Sequence, residues 1–252
     1  MPNTLFLRLE APLQSWGERA QWSERDTAPE PTKSGIVGLL ACALGWADDV
    51  RIRDLSQSIR VGVRCDHISS PAILLDYHTV GGGYTAPQLL TAEGKPKMIA
   101  ASKSPHTEPT KRYYLSDASF LIAVQAASDR IAKLTEAAQS PVWPVFLGRK
   151  SCVPTRPIFD GVGDYDSLER ALQEQPARMM RARRPSAAVT FDARAVIECD
   201  ASDEGSLRRR DEIALPSLRV FAPRYSREVW IKDISCQDVF ADFTSLQSAD
   251  TE

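Results

Sequence analysis

The distribution of apolar residues along the chain predicts strands near its start and in its middle. Apolar positions alternate over residues 5–9, which predicts a strand with one buried face that ends in a turn at residues 11–12. A second alternation over 59–65 predicts a strand with a basic outer face, and 73–77 continues as extended chain. The unbroken apolar run at 118–126 is typical of a central strand that is covered on both faces.

Three stretches have the features of helices. Residues 32–46 begin with a capping threonine and are apolar nearly all round, so this helix should be buried against a sheet. Residues 128–140 begin with a capping serine and end before a proline. Residues 166–175 begin with Asp166 and Glu169, which have the spacing of a capping box.

Two long segments lack the periodic spacing of apolar residues that marks a helix or a strand packed on a core. Residues 14–31 are polar, contain two tryptophans and two prolines, and predict an ordered loop. Residues 81–110 contain a glycine triplet and four prolines. A loop of roughly 30 residues inside a compact domain is either functional or disordered.

The predicted order of strand, helix, strand, strand and helix is the beginning of a ferredoxin-like βαββαβ unit. Strands predicted at 187–199, 218–222 and 228–231 add a β-rich C-terminal part. The tail after Phe243 is expected to be disordered. The pattern therefore predicts an α+β protein.

Composition and charge narrow the classes of function. The chain has 252 residues, 43% of them hydrophobic, and a formal net charge of -2. This balance excludes a wholly basic nucleic-acid binder, so any RNA surface must be a local patch. The longest uncharged apolar stretch, residues 34–47, is too short for a spanning helix. Arg8 and Glu10 interrupt the early apolar run, which argues against a signal peptide, so we expect a cytoplasmic protein with no membrane partner.

The cysteines and known motifs point to no metal or cofactor. The five cysteines form no C-x-x-C pair, which argues against a zinc ribbon and a disulfide framework. The sequence also contains no P-loop, zincin or nucleophile-elbow motif. We therefore expect neither a metal nor a cofactor.

Two segments have compositions that suit a phosphate. Gly148, Arg149, Lys150 and Ser151 lie in a stretch without acids, where glycine lets backbone N–H groups approach and cations neutralise charge. The alternative is an exposed turn before a strand. The helix start at 31–35 carries Lys33 and Ser34 and is a second candidate anion site, although most such sequences are only caps.

Candidate residues for a ribonuclease site lie at the two ends of the long segment 81–110. His78, Tyr113 and Lys111 have the side chains that could act as general base, general acid and phosphate clamp in a metal-independent RNA cleavage by 2′-OH attack. The alternative is structural, because a histidine at the base of a loop more often makes a single hydrogen bond.

Two clusters of arginine are candidates for RNA or for an acidic partner. The first consists of Arg178, Arg181, Arg183 and Arg184 and has no acid nearby in the sequence. The second, residues 208–210, is flanked by acids that can pair with it. The first cluster is therefore the better candidate.

Seven motifs in order resemble one known family. They are APLQSWG at 11–17, PTKSGIVGLL at 31–40, VRCD at 63–66, DYHTV at 76–80, YYLSDASF at 113–120, LGRKSC at 147–152 and SREVW at 226–230. Together they resemble the Cas-five family of CRISPR-associated proteins, in the branch that belongs to type I-E Cascade complexes. The resemblance covers about residues 4–231.

The resemblance implies a definite architecture. It predicts a ferredoxin-like (RRM-like) RAMP domain over residues 1–155, with a long thumb hairpin inserted at about 79–110. A smaller β-rich part would follow over 156–243, and residues 244–252 would form a disordered tail.

The resemblance also implies a non-catalytic subunit that grips the 5′ handle of CRISPR RNA in antiviral defence. Its partners would be the backbone subunit CasC and the large PAM-reading subunit of Cascade, with target DNA reached through the assembled complex. RNA contacts are expected at Gln14, Trp16, Arg25, Lys33, Ser34, Gly35, Lys111, Arg112, Gly148, Arg149, Lys150 and Ser151.

Two features of the family qualify this expectation. Lys150 stands where arginine is common, so the charge is kept and the bidentate phosphate geometry is lost. In the type I-C branch a related subunit cuts the precursor RNA itself. The alternative function is therefore a metal-independent endoribonuclease that uses His78, Lys111 and Tyr113.

Overall fold

The structure, a computed structural model, describes residues 1–18, 23–70, 72–83, 88–179 and 190–238. The described strands are β1 (Thr4–Gln14), β2 (Glu24–Arg25), β3 (Arg60–His67), β4 (Ile73–Gly81), β5 (Thr107–Gln125), β6 (Phe159–Gly163), β7 (Ala177–Met179), β8 (Thr190–Cys199), β9 (Leu207–Leu215) and β10 (Val220–Asp238). The described helices are α1 (Lys33–Ala43), α2 (Asp49–Ser58), α3 (Ser128–Gln139) and α4 (Leu168–Glu174). These elements confirm the α+β class.

β5 organises a sheet in the order β6-β1-β5-β3-β8-β10-β7. The C-terminal half of β5 pairs antiparallel with β1 and with β3. Its N-terminal half leaves the body of the sheet, pairs antiparallel with β4 over Thr107–Leu115, and meets β2 on its other edge. We call this two-stranded extension the ribbon. The sheet therefore has a buried centre and a projecting arm built from the same strand.

The sheet separates two apolar cores. On one face, α1 and α3 form a core with alternate residues of β1 and β5, such as Leu5 and Ile122. On the other face, α4 packs on Phe6 and on inner residues of β8 and β10, such as Ala195 and Ile231. Full burial of one large apolar side chain contributes roughly 1.5–3 kcal/mol. β1 is apolar on both faces and therefore joins the two layers.

The predicted turn at residues 11–12 is wrong, because β1 continues to Gln14, which lies opposite Leu115 of β5. Pro12 is tolerated because β6 accompanies β1 only as far as Leu7, so no described strand pairs with the other edge of β1 at that position. β5 likewise begins well before residue 118, since its first half is stabilised by pairing with β4 rather than by burial.

The β-rich C-terminal part differs from the sequence pattern in two ways. The strands predicted at 218–222 and 228–231 are one strand, β10, which pairs with both β8 and β9. β9 is not evident from hydrophobic alternation because charged residues occupy 208–212. Cross-strand pairing therefore outweighs the weak local pattern in this region.

The helices begin and end for local reasons. Thr32 caps α1 as predicted, and α1 ends at Ala43, earlier than residue 46, because Gly45 at φ +68° closes it. α2 is an additional helix, capped by Asp48, whose side chain accepts a hydrogen bond from the N–H of Arg51. At the other two helices the predicted caps are wrong: Ser128 is already within α3, and Ser167 rather than the predicted box caps α4.

The predicted basic outer face of 59–65 is exposed at Arg60 and wrong at Arg64, which is fully buried where α4 covers β3. Its Nε donates to Asp66 Oδ1 at 2.6 Å, and Asp66 is shared with Arg8. Arg8 Nη2 also donates to Asp160 Oδ2 at 2.9 Å. We call Arg8, Arg64, Asp66 and Asp160 the arginine–aspartate cluster. Burial alone would raise the pKa of Asp160. The charges of Arg8 and Arg178 and the hydrogen bonds from Arg8 and Gln175 together outweigh this effect and hold that pKa below its ordinary value.

The other predicted arginine clusters have different partners from those expected. Arg178 has an acid nearby after all, since its Nη1 lies 3.7 Å from Asp160 Oδ1. Arg181, Arg183 and Arg184 lie outside the described residues. Arg209 of the second cluster pairs with Glu30 at 2.7 Å, an acid that is distant in the sequence.

One sheet runs across the predicted domain boundary at residues 155 and 156. β6 follows that boundary and pairs with β1, and β8 pairs with β3. The boundary itself remains a prediction. The predicted disordered tail at 244–252 lies outside the described residues.

Candidate RNA-binding site

A cleft of about 410 Å³ opens between the start of α1, the 147–152 loop and the hairpin of β9 and β10. We call it the cleft. Six of the residues predicted to contact RNA line it, namely Trp16, Arg25, Ser34, Gly35, Gly148 and Arg149. Segments more than a hundred residues apart in sequence therefore meet at one site.

The 147–152 loop is a tight turn held against the end of β1. Leu147 N donates to Cys152 O at 2.8 Å, and Ser15 N donates to Leu147 O at 3.1 Å. Gly148 has φ +99°, and a β-carbon there would lie 1.7 Å from the carbonyl oxygen of Ser15. This φ lies in the left-handed region that favours glycine, and the close approach of the protein's own backbone leaves no space for a side chain.

Arg149 connects the loop to the β2 region. Its Nη2 donates to the carbonyl oxygen of Arg25 at 2.9 Å and to that of Asp26 at 3.4 Å. Its guanidinium lies 4.6 Å from the centre of the Tyr114 ring, within cation–π range. Carbonyl groups and an aromatic ring orient this side chain without neutralising its charge, so Arg149 remains a source of positive potential at the cleft.

β2 brings the base of the ribbon to the same place. Arg25 lies beside Arg112, and Glu24 beside Lys111, in a short parallel pairing. Lys111 is exposed and Arg112 is half-buried. Arg25, Lys111, Arg112 and Arg149 therefore lie in neighbouring segments at one end of the cleft, while Lys150 and Ser151 are exposed on the adjoining loop. This grouping is the composition that binds a phosphate backbone.

Gln14 and Trp16 have structural roles. Gln14 is fully buried, and its Nε2 donates to Leu9 O at 3.1 Å and to Ala118 O at 2.7 Å. Its Oε1 accepts from Trp16 Nε1 at 3.1 Å. The Trp16 ring is 2% exposed and packs so closely on Gly35 that a β-carbon at residue 35 would lie 2.8 Å from it. The predicted RNA contacts of the Gln14 and Trp16 side chains are therefore not supported by their burial.

The prediction that Lys33 contacts an anion is contradicted by its surroundings. Lys33 is 2% exposed, and its Nζ donates to Glu198 at 2.7 Å. Its backbone N–H donates to Asp211 Oδ2 at 2.8 Å, so a carboxylate of the chain itself occupies the start of α1. Both acids lie more than 160 residues away in sequence, which is why the local pattern could not reveal them. Ser34 and Gly35 remain at the cleft.

The predicted ribonuclease residues do not converge. In the ribbon, His78 lies opposite Thr110, while Lys111 lies opposite Tyr77. Paired residues share a face and successive residues alternate, so His78 lies on the opposite face from Lys111 and Tyr113. Tyr113 Oη donates to Glu24 Oε1 at 3.2 Å, and this hydrogen bond raises the pKa of Tyr113 above its ordinary value. A phenol with a raised pKa is a weaker acid, so this contact makes Tyr113 less suited to the role of general acid.

No helix among the described residues is both long and apolar enough to cross a membrane. Within the same ranges, no group of three or more His, Cys, Asp or Glu side chains is placed to hold a metal ion.

Comparison with known proteins identifies the family. The family model described as CRISPR-associated protein (Cas_Cas5) matches residues 4–232. The chain therefore belongs to this CRISPR-associated family, as the seven motifs predicted.

Three individual relatives agree with this assignment. The chain is 36% identical over 183 residues to the CRISPR system Cascade subunit CasD of Escherichia coli (strain K12), a match that covers 68% of this chain and 76% of the relative. A structure entitled "CRISPR RNA-guided surveillance complex" has a TM-score of 0.72 and 28% identity over 98% of both chains. A second, "Crystal structure of Cas protein", has a TM-score of 0.63 and 33% identity, covering 91% of this chain and 95% of that one.

Proposed function

We propose that this chain is a non-catalytic, CRISPR RNA-binding subunit of a type I-E Cascade complex, which grips the 5′ handle of the RNA in antiviral defence. Support comes from the relative named as a Cascade subunit and from the similar chain in an RNA-guided surveillance complex. The observation that carries the proposal is the meeting of Arg25 and Arg149 at the cleft, with Arg112 beside Arg25 at the base of the ribbon, because three separate segments supply these charges.

The RNA path runs from the 147–152 loop across β2 to the base of the ribbon. Lys150 and Ser151 are exposed on the loop and Lys111 is exposed on the ribbon, so each can approach a phosphate. Gly148 contributes its exposed backbone, and Arg149 both attracts phosphate and holds the Arg25 segment in place. A near-neutral chain with one basic path suits a subunit that holds a short RNA segment.

In this proposal the ribbon carries the thumb of a ferredoxin-like RAMP domain, the segment at about 79–110. Three apolar side chains, Ile73, Leu75 and Tyr77, alternate along β4 on one face and are 45%, 50% and 64% exposed. Such a stripe on a projecting arm suits burial against a neighbouring subunit. The partners proposed are the backbone subunit CasC and the large PAM-reading subunit, with target DNA reached through the complex and assembly in the cytoplasm.

Binding to labelled RNA tests this proposal directly. The purified chain is titrated with RNA carrying the 5′ handle of the host's own repeat, and with a scrambled RNA of equal length. We expect tighter binding to the handle, and weaker binding by the Arg25→Ala/Arg149→Ala double variant. Arg170→Ala removes one charge from the exposed side of α4, on the other face of the sheet, and is the matched control. Equal affinity for the two RNAs would refute handle recognition.

The endoribonuclease alternative has its own assay. Repeat RNA is incubated with the chain in EDTA, and we expect no specific cleavage because His78 lies on the opposite face of the ribbon from Lys111 and Tyr113. Cleavage at the base of the repeat that disappears in His78→Ala, Lys111→Ala or Tyr113→Ala would establish the enzyme instead.

A further inference from the structure

The interior of the cleft differs from its basic end. Ile52 of α2, Ile213 of β9, Pro216 and Phe221 of β10 line it with apolar surface. The described cations of the lining, Arg25 and Arg149, lie together at the end near the 147–152 loop, next to Asp26. A ligand that matches this arrangement is flat and apolar over most of its area and anionic at one edge.

Gly38 keeps the cleft open. It lies inside α1, where glycine costs about 1 kcal/mol relative to alanine. No heavy atom of the described residues lies within 4 Å of the place where its β-carbon would be, so packing within that part of the chain does not explain the glycine. Gly35, one turn earlier, contrasts with it because the Trp16 ring fills the space beside that residue. The open position at Gly38 faces the cleft, which it also lines.

We propose that the cleft binds one unstacked nucleobase of the RNA, with the attached phosphate toward Arg25 and Arg149. Proteins that recognise single-stranded RNA commonly splay out a base and stack it on an aromatic side chain, which Phe221 provides here. The volume of about 410 Å³ lies within the range of small-ligand sites. The inference rests on the proposed function, since it names the part of the RNA that enters this site.

The C-terminal hairpin is essential to this pocket. Ile213 and Phe221 lie opposite one another on β9 and β10 and form the wall that faces α1. Asp211, two residues before Ile213, accepts the N–H of Lys33 and is held by Arg224 at 2.7 Å. The hairpin is therefore fixed to the start of α1, and the pocket is present before any ligand enters.

The test has two parts: substitutions at Gly38 that fill the cleft, and handle RNAs from which one base at a time has been removed. Gly38→Leu places a side chain in the cleft, and Gly38→Ala is the matched control that leaves most of the space free. We expect handle RNA to bind Gly38→Ala as it binds the wild type, and to bind Gly38→Leu about 10-fold more weakly, the scale of removing one stacked base. Circular dichroism and thermal unfolding verify that both variants are folded.

An abasic scan on the wild-type chain is independent of how the variants fold. Handle RNAs with one base removed at each position are titrated, and we expect one position to weaken binding about 10-fold. Removal of that same base from the RNA should not weaken binding to the Gly38→Leu variant any further. Uniform affinities across the scan, with wild-type handle binding intact, would overturn the nucleobase pocket and leave the proposed function standing.

Two other outcomes have distinct meanings. If the wild-type chain shows no preference for handle RNA, the proposed function itself fails. If Gly38→Leu binds RNA normally and instead fails to assemble with the other Cascade subunits, the cleft takes a partner side chain and the nucleobase proposal is wrong.

Discussion

Arginines occur in two contrasting settings in this protein. Arg8 and Arg64, in the arginine–aspartate cluster beneath α4, are fully buried and donate to the carboxylates of Asp66 and Asp160. Arg149, at the cleft, is partly exposed and donates to backbone carbonyl groups. In the first setting the charge is cancelled within the chain. In the second the side chain is oriented while its charge remains available to a ligand.

The contrast shows that the partner of an arginine, rather than its position in a basic stretch, indicates its role. The sequence around Arg64 alternates like an outer strand face, yet that face is covered by α4. Buried charges are retained where every partner is present, and removal of one partner is far more costly than removal of an exposed pair. The two settings should therefore respond differently to substitution.

The largest expected effect is on stability, from Asp66→Ala. This change removes the carboxylate that both Arg8 and Arg64 contact and leaves two buried cations short of a partner. We expect a decrease of about 3–5 kcal/mol in the free energy of unfolding, measured by urea denaturation. Asp54→Ala, which breaks the partly exposed pair with Arg130, is the control and should cost about 1 kcal/mol or less. Equal decreases in the free energy of unfolding of the two variants would mean that the buried cluster is no more sensitive to loss of a partner than the exposed pair.

Gly148→Ala should have the next largest effect. The new β-carbon meets the Ser15 carbonyl oxygen, so the 147–152 loop must move from the end of β1. We expect a decrease of about 1–3 kcal/mol in stability together with weaker RNA binding. Gly94→Ala is a matched control, since Gly94 also has positive φ, at +77°, but no atom of the described residues lies within 4 Å of the place of its β-carbon. If both variants are destabilised equally, backbone conformation alone explains Gly148.

Arg149→Ala should weaken RNA binding while affecting stability less. We expect a cost of about 1–3 kcal/mol in the free energy of binding, the scale of a charge-assisted hydrogen bond. The slope of log K against log salt should fall by about 0.7 for each phosphate that the protein no longer neutralises. Arg170→Ala on α4 should leave both quantities unchanged. An unchanged salt slope in Arg149→Ala would mean that this residue acts only by holding the Arg25 segment.

Lys111→Ala should have the smallest effect. Its exposed ammonium makes a flexible point interaction, so we expect about a threefold decrease in RNA affinity and a small decrease in the salt slope. Lys133→Ala, on the exposed side of α3, is the control. A decrease larger than that of Arg149→Ala would place the main phosphate interaction on the ribbon rather than at the cleft.

Local patterns predicted the family, the α+β class and much of the central sheet, because those depend on residues close in sequence. The run at 118–126 is central as expected, lying between β1 and β3. Thr32 caps α1 as predicted. These features follow from burial and local hydrogen bonding, which short segments reveal.

Long-range contacts decided what the sequence could not show. Lys33 is paired with Glu198, and Arg64 is covered by α4, although nothing near either residue in sequence indicates it. Gly38, which the local pattern places inside a buried helix, faces the cleft only because β9 and β10 fold over α1. The apolar character of α1 all round its surface therefore gave no indication of the pocket.

The position of β1 has a consequence for the order of events during synthesis. β1 is buried between β5 and β6, so its first neighbour is complete only after Gln125 and its second after Gly163. At about 5–20 residues per second, β1 waits on the order of ten seconds on the ribosome with both apolar faces and both edges unpaired. Pairing over such separations is also slow in itself. Yield in a heterologous host should therefore depend on translation rate and chaperone supply more than on the final stability of the folded chain.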